Sequence, residues 1–254
     1  ADVLTSAFDS AGQRCSALRI LCVQEDVADR TITMIKGAMD ELVVGKPTQL
    51  TTDIGPVIDA EAQQNLLAHI NKMKGVAKAY HEIKTAADVD DNNSTFVRPI
   101  LFELNNLNEL QREVFGPVLH VVRYRASELD QLIDQINAKG YALTSGVHSR
   151  IEGTVDHIRD RIEAGNIYVN RNIVGAVVGV QPFGGHGLSG TGPKAGGSFY
   201  LQRLVRTPEW VAPTLSRIGQ ADEDALKRLE TLVHKLPFNA EEKKTAAAAL
   251  GHSR

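Results

Sequence analysis

The chain has 254 residues, 43% of them hydrophobic and 23% charged, with a formal net charge of −3. Such a chain buries a packed core. Its charge balance excludes a basic nucleic-acid-binding face, and no run of like charge is long enough to act as an interaction tail. No apolar stretch reaches membrane-spanning length, no signal peptide is recognisable, and two cysteines cannot frame a disulfide scaffold, so a reducing cytoplasm is the expected setting.

The length suits one large domain plus an appendage. Ala1 to Ala11 is predicted to be helical, with Val3, Leu4, Ala7 and Phe8 on neighbouring faces. There is no initiator methionine. A chain that opens inside a helix shortly before a cysteine is expected to be cut from something longer. Arg19 to Val23 has the length and β-rich character of a buried strand, with Cys22 expected to be buried and inert. Ala28 to Leu42 places Ile32, Ile35, Met39 and Leu42 on one helical face. Asp59 is positioned to cap a second helix whose Leu66, Leu67, Ile70 and Met73 face inward. Residues 81–94 are polar and are expected to include an exposed loop. Val118 to Tyr124 reads as strand, and Leu129, Leu132, Ile133 and Ile136 as a third helix ending before Gly140. Val147 marks a short strand. Val155, Ile158 and Ile162 give a fourth helix, with Gly165 suited to its C-terminal turn. Ile167 to Val169 is strand again.

This alternation predicts an α/β domain with a largely parallel sheet flanked by helices, over residues 1–199. Such sheets tend to place active sites outside the carboxyl ends of their strands. Tyr200 to Arg206 reads as an extended arm, and residues 200–254 as that arm with a helical tail: Leu226, Leu229, Val233 and Leu236 share one amphipathic face, and Ala240 to Leu250 has high helix propensity.

Cys15 lies in the run Ala11-Gly12-Gln13-Arg14-Cys15-Ser16. A cysteine after a glycine, between a cation and a hydroxyl, has the surroundings of a thiol kept available for attack, because the thiolate is the reactive form and positive charge favours it. The bland alternative is a small apolar core residue. Gly185-His186-Gly187-Leu188-Ser189-Gly190 matches a GxGxxG dinucleotide pattern, with Glu209 about twenty residues on. Pro193 and a glycine cluster follow, so no βαβ unit can be built there, and a tight turn is expected instead. The histidines are dispersed and do not reach metal-ligand spacing with cysteines or carboxylates, so no metal is expected.

Three motifs in order, the Cys15 run, Glu113-Val114-Phe115-Gly116-Pro117-Val118, and Gln181-Pro182-Phe183-Gly184-Gly185 followed by Gly187 and Ser189-Gly190, resemble the aldehyde dehydrogenase superfamily. Asp53-Ile54-Gly55-Pro56, Arg98-Pro99-Ile100 and Gly165-Asn166-Ile167-Tyr168-Val169-Asn170 fit the same resemblance, which covers about the first two hundred residues. Arg171 to Gly179 is similar to the aldehyde-anchoring loop of the glutamate semialdehyde (1-pyrroline-5-carboxylate) dehydrogenases. Gly190-Thr191-Gly192-Pro193-Lys194-Ala195-Gly196-Gly197 is similar to the bacterial bifunctional proline-utilisation A branch, in which a proline dehydrogenase precedes the aldehyde dehydrogenase.

The resemblance implies an NAD-dependent oxidation of an aldehyde through a covalent cysteine adduct. Cys15 would be the nucleophile, and its backbone N–H one oxyanion donor. Glu113 would accept from the ribose hydroxyls on the nicotinamide side of NAD, with Phe115 flanking the same region. Ser16, Gly175 and Ala176 would anchor the substrate carboxylate, and Phe183 would pack on its aliphatic part. Ala176 stands where some relatives have serine, which leaves the anchoring to backbone N–H groups. In the family the second oxyanion donor and the general base lie upstream of the cysteine, and neither can be placed on this chain. FAD would belong only to a separate proline dehydrogenase domain. The implied partners are a small aldehyde and a homo-oligomer, in which the arm of residues 200–254 would pair with a neighbouring subunit, with peripheral membrane association only through other domains. Another aldehyde, or an inactive assembly module in the isolated chain, stays open as an alternative. For the isolated chain, weak or absent NAD binding and no turnover are expected.

Overall fold

Residues 1–84, 94–190 and 192–204 are described by a computed structural model of the chain. Ala1–Tyr200 forms one compact unit, and Leu201–Leu204 begin a second. Helix α1 (Asp2–Phe8) buries Ser6, Ala7 and Phe8 and stops at Phe8, earlier than its apolar pattern suggests. A short 3-10 turn over Asp9–Gly12 follows, in which Ser10 (φ 55°), Ala11 (φ 53°) and Gly12 (φ 64°) are all left-handed. Ser10 and Ala11 are strained there by about 1 kcal/mol each or more, so the surrounding contacts must hold them.

Strand β1 (Ile20–Gln24) leads into helix α2 (Glu25–Asp40), which buries Ala28, Ile32, Ile35 and Met39. Cys22 keeps some accessible surface as a residue, but its thiol is enclosed and burial pushes it up to about 12. Helix α3 (Ala60–Val76) is capped as its sequence predicts: Asp59 Oδ1 accepts from the Ala62 N–H at 2.8 Å. Leu66, Ile70 and Met73 face the core, whereas Leu67 points to solvent, one position round the helix from the buried stripe. Strands β2 (Ala79–Glu82), β3 (Ile100–Leu104) and β4 (Val118–Tyr124) complete the main sheet, in the order β1-β4-β3-β2. β1 and β3 run parallel to β4, and β2 is an antiparallel edge. This is the expected α/β architecture. All five side chains of β3 and the first five of β4 are buried, as in a sheet covered on both faces. Glu103 on β3 is the exception in polarity: burial opposes its ionisation, but hydrogen bonds from Arg123 (2.8 Å) and an ion pair with Lys78 (3.0 Å) prevail and hold its carboxyl below the ordinary value.

Helix α4 (Leu129–Asn137) precedes two small sheets. Strand β5 (Tyr141–Ala142) pairs antiparallel with β8 (His186–Gly187), and β6 (Thr144–Val147) pairs parallel with β7 (Asn166–Val169). Helix α5 (Glu152–Arg161) lies between β6 and β7. Gly165 does not form the C-terminal turn of α5 by a left-handed φ. It is a close-approach residue instead: a Cβ there would lie 1.7 Å from the Gly184 carbonyl oxygen. The GxGxxG segment is a tight turn, with the Ser189 N–H donating to His186 O (2.9 Å) and the Gly190 N–H to Gly187 O (3.0 Å). Tyr200–Leu204 is a helical segment, α6, where an extended arm was expected, since its amides turn back on the chain. The exposed loop expected within residues 81–94 falls largely outside the described residues, as do Arg206 and the two tail helices.

One polar joint lies inside the sheet layer. His120, fully buried on β4, receives His69 of α3 at 2.9 Å between their Nε2 atoms, and its Nδ1 reaches the Arg19 carbonyl at 3.0 Å. A carbonyl only accepts, so His120 Nδ1 carries the proton; neutral His120 then accepts at Nε2, and His69 donates from Nε2. Burial lowers both rings to about 4, helped at His69 by the charges of Arg112 and Lys72 and at His120 by those of His69 and Arg19, and opposed at His120 by the carbonyl bond.

Two measurements check this account. In urea unfolding, Gly12→Ala is expected to cost about 3 kcal/mol, through a left-handed φ and a clash with backbone. Gly37→Ala, in α2 with open space around it, should instead stabilise by up to about 1 kcal/mol. The stability held above pH 6.5 should decline as pH falls from 6.5 to 4, because the unfolded histidines take up protons that the folded ones refuse. His120→Gln should lose less over that interval.

Candidate active site

Because β1 and β4 are parallel and pair Ile20 with His120, the loops entering them lie side by side. One carries Cys15 and Ser16, and the other Glu113 and Phe115. The candidate site therefore lies at the amino ends of β1 and β4, whereas the general rule for open sheets points to carboxyl ends. The two loops touch through backbone. A Cβ on Gly12 would sit 2.1 Å from the Gly116 carbonyl oxygen and 2.9 Å from that of Ala7. Gly116 in turn faces Leu66, whose methyls lie 2.5 Å from where its Cβ would be.

Cys15 is exposed, and Ser16 beside it is 6% exposed. Arg19, four residues on, joins both loops. Its guanidinium donates to the carbonyl of Gly12, to that of Arg14 at 2.9 Å, and to Glu113 Oε1 at 3.3 Å. It also stacks over the Phe115 ring, 4.4 Å from the centroid. Burial lowers the Arg19 pKa, against the raising effect of Glu113 and of the nearby Cys15. Arg19 stays charged, since an arginine starts far above neutrality. Glu113 and Phe115 are otherwise open to solvent, and the Glu113 N–H reaches Tyr141 Oη at 3.5 Å.

A third segment is drawn in by Gln13. Its Nε2 donates to Pro56 O at 3.4 Å and its Oε1 accepts from the Ile58 N–H at 2.8 Å, which docks Asp53-Ile54-Gly55-Pro56 against the cysteine turn. The fourth motif works as a frame. Asn166 donates to Pro182 O (3.0 Å) and accepts from the Gly184 N–H (3.3 Å), Gln181 donates to Tyr168 Oη (2.7 Å), and Lys194 donates to Gly165 O. Asn170, left-handed at φ 53°, bonds both the N–H and the carbonyl of Ser149.

The remaining candidates are placed less tightly. The Ile173 N–H donates to the buried Ser6 Oγ at 3.1 Å, which ties the start of the Gly175–Ala176 loop to α1, the helix that leads to Cys15. Thr144 Oγ1 reaches Ser16 O at 3.5 Å, at the margin of a hydrogen bond. Gly175 is left-handed (φ 77°) and exposed, and among the described residues the N–H groups of Gly175 and Ala176 make no hydrogen bond. Phe183 is half-buried and exchanges two backbone bonds with Ala195, at 2.9 and 2.8 Å. Among the described residues no hydrogen bond joins Gly175, Ala176 or Phe183 to Cys15. The structure therefore brings the Cys15–Ser16 turn and the Glu113–Phe115 loop together through Arg19 and the Gly12–Gly116 approach, and links the start of the Gly175–Ala176 loop to α1. Sequence reading missed Gln13, Arg19, Asn166 and Tyr168. Their signal lies in the quoted motifs themselves, which contain three of the four.

Comparison with known proteins shows the family. The family model described as "Aldehyde dehydrogenase family" matches residues 1–208. The chain is 56% identical over 239 residues to the bifunctional protein PutA of Klebsiella aerogenes, covering 92% of this chain and 18% of that protein. It is 36% identical over 201 residues to the 1-pyrroline-5-carboxylate dehydrogenase of Geobacillus kaustophilus, covering 78% and 38%. Among solved structures, a Bradyrhizobium japonicum proline utilization A variant matches with a TM-score of 0.75 at 57% identity, over 80% of this chain and 20% of that one. The 1-pyrroline-5-carboxylate dehydrogenase from Thermus, solved with bound NAD, matches with a TM-score of 0.70 at 33% identity, over 79% and 38%. The chain thus spans about a fifth of the first of these relatives. It belongs to the aldehyde dehydrogenase family.

Proposed function

We propose that this chain carries the thiol half of a site that oxidises L-glutamate γ-semialdehyde to L-glutamate with NAD. The observation that carries the reading is the exposed Cys15 on a strained turn, locked by Gly12 and Arg19 to the loop of Glu113 and Phe115. Family membership supports the reaction class, and the names of the similar proteins support the substrate.

Cys15 attacks the aldehyde carbon as thiolate, and its backbone N–H faces the oxygen that becomes negative. Oxidation of the thiohemiacetal leaves an acyl group on sulfur, and water then releases the carboxylate and returns the thiolate. NAD, when bound, supplies the hydride acceptor. The residues here fit it: Glu113 holds one carboxylate oxygen on Arg19 and presents an open acceptor surface suited to a diol, beside the exposed Phe115 ring. The substrate carboxylate would meet the N–H groups of Gly175 and Ala176, where a left-handed glycine lets backbone come close to an anion. Ser16 would add a hydroxyl, and Phe183 an apolar wall for the methylenes.

Iodoacetamide should alkylate Cys15 in the folded chain while sparing Cys22 until unfolding, as peptide mapping would show; equal labelling of both would contradict the enclosure of Cys22. In an active enzyme containing this chain, Cys15→Ala should lower NAD reduction with glutamate semialdehyde by about a thousandfold or more, as loss of a covalent nucleophile does. Retained turnover would remove the assignment.

A further inference from the structure

Arg19 is used twice by the fold and not at all by the chemistry described above. Its backbone carbonyl accepts both the N–H and the Nδ1–H of the buried His120, each at 3.0 Å, so its main chain cannot shift without disturbing β4. From that fixed point the side chain, only 11% exposed, reaches two carbonyls of the cysteine turn on one side and Glu113 with Phe115 on the other. A planar guanidinium has five donors in a rigid fork and a face for stacking. A lysine could keep the charge and one of these contacts, but not the fork and the stack together.

We propose that Arg19 is a positioning residue, a clamp by which one side chain sets the Cys15 turn and the Glu113–Phe115 loop relative to each other. Its kinetic consequence rests on the dehydrogenase reading; its structural consequence does not. The carboxylate of Glu113 is oriented because one oxygen is held by Arg19, and the Phe115 ring is oriented because the guanidinium lies over its face. The cysteine turn keeps its left-handed conformation because the carbonyls of Gly12 and Arg14 are both engaged. Loss of the clamp therefore loosens two loops that are about a hundred residues apart in sequence, while the strands between them keep their pairing.

Hydrogen exchange on the chain with Arg19→Gln tests the structural half. Exchange over residues 10–16 and 112–117 should rise together, by about fivefold or more, with β3 and β4 unchanged, and Arg19→Lys should fall between the two. A rise in one loop alone, no rise, or a uniform rise through the sheet would overturn the clamp. In an active enzyme containing this chain, Arg19→Lys should raise the KM for NAD about tenfold, since Glu113 and Phe115 serve the cofactor side, and lower kcat along with it, since the cysteine turn is loosened too. A fall in kcat with KM unchanged would overturn it too. A wild-type enzyme inactive on glutamate semialdehyde would remove the substrate reading, and the exchange measurement would still decide the clamp.

Discussion

The constraint on which the candidate site depends is a contact between two backbones. Gly12 and Gly116 approach so tightly that a single added carbon on Gly12 would overlap the Gly116 carbonyl oxygen. The left-handed φ of Gly12 adds a second, independent reason for glycine at that position. Everything proposed about the site presupposes this approach, because it sets how near the thiol of Cys15 can stand to the carboxylate of Glu113. It also explains why two leucine methyls of α3 press on Gly116: the helix backs the loop that the turn leans on.

Polar side chains then fix what the backbones bring together. Gln13 draws in Pro56 and Ile58, Arg19 draws in Glu113 and Phe115, and Asn166 draws in Pro182 and Gly184. Each hydrogen bond contributes a net of only about 1 kcal/mol. Their value lies in number and direction, since each one ties a loop to a segment remote in sequence. The strain stored at Ser10 and Ala11 is of similar size and is tolerated because these contacts over-determine the turn.

The sheet acts as the carrier. Parallel pairing of β1 and β4 makes their preceding loops neighbours, and His120 locks the pairing to α3 through His69. Both imidazoles are neutral near pH 7, so the joint is a dipolar one and places no charge beneath Arg19. The acidic Glu103 lies elsewhere on the sheet, satisfied by Arg123 and Lys78, and belongs to the packing of β3.

Much of the architecture was legible in the residue pattern. The β4 strand, the α2 stripe of Ile32, Ile35 and Met39, and the Asp59 cap follow from periodicity and local hydrogen-bonding chemistry, which act over a few residues. The Cys15 and Glu113 motifs were legible through their resemblance to the aldehyde dehydrogenases, with the cation and hydroxyl beside Cys15 adding a local chemical reason. The residue pattern did not supply the end of α1 at Phe8, the outward turn of Leu67 or the helical turn at Tyr200, and the role of Gly165 depends on Gly184, which packing brings against it. The place of the site at the amino ends of β1 and β4, and the reach of Arg19 across 94 residues to Glu113, belong to the same class. Sequence alone determined which segments are strands and helices and which motifs carry the family resemblance. Only the tertiary structure decided which of them meet, because close approach of glycine backbones and the aim of a buried guanidinium are properties of long-range packing.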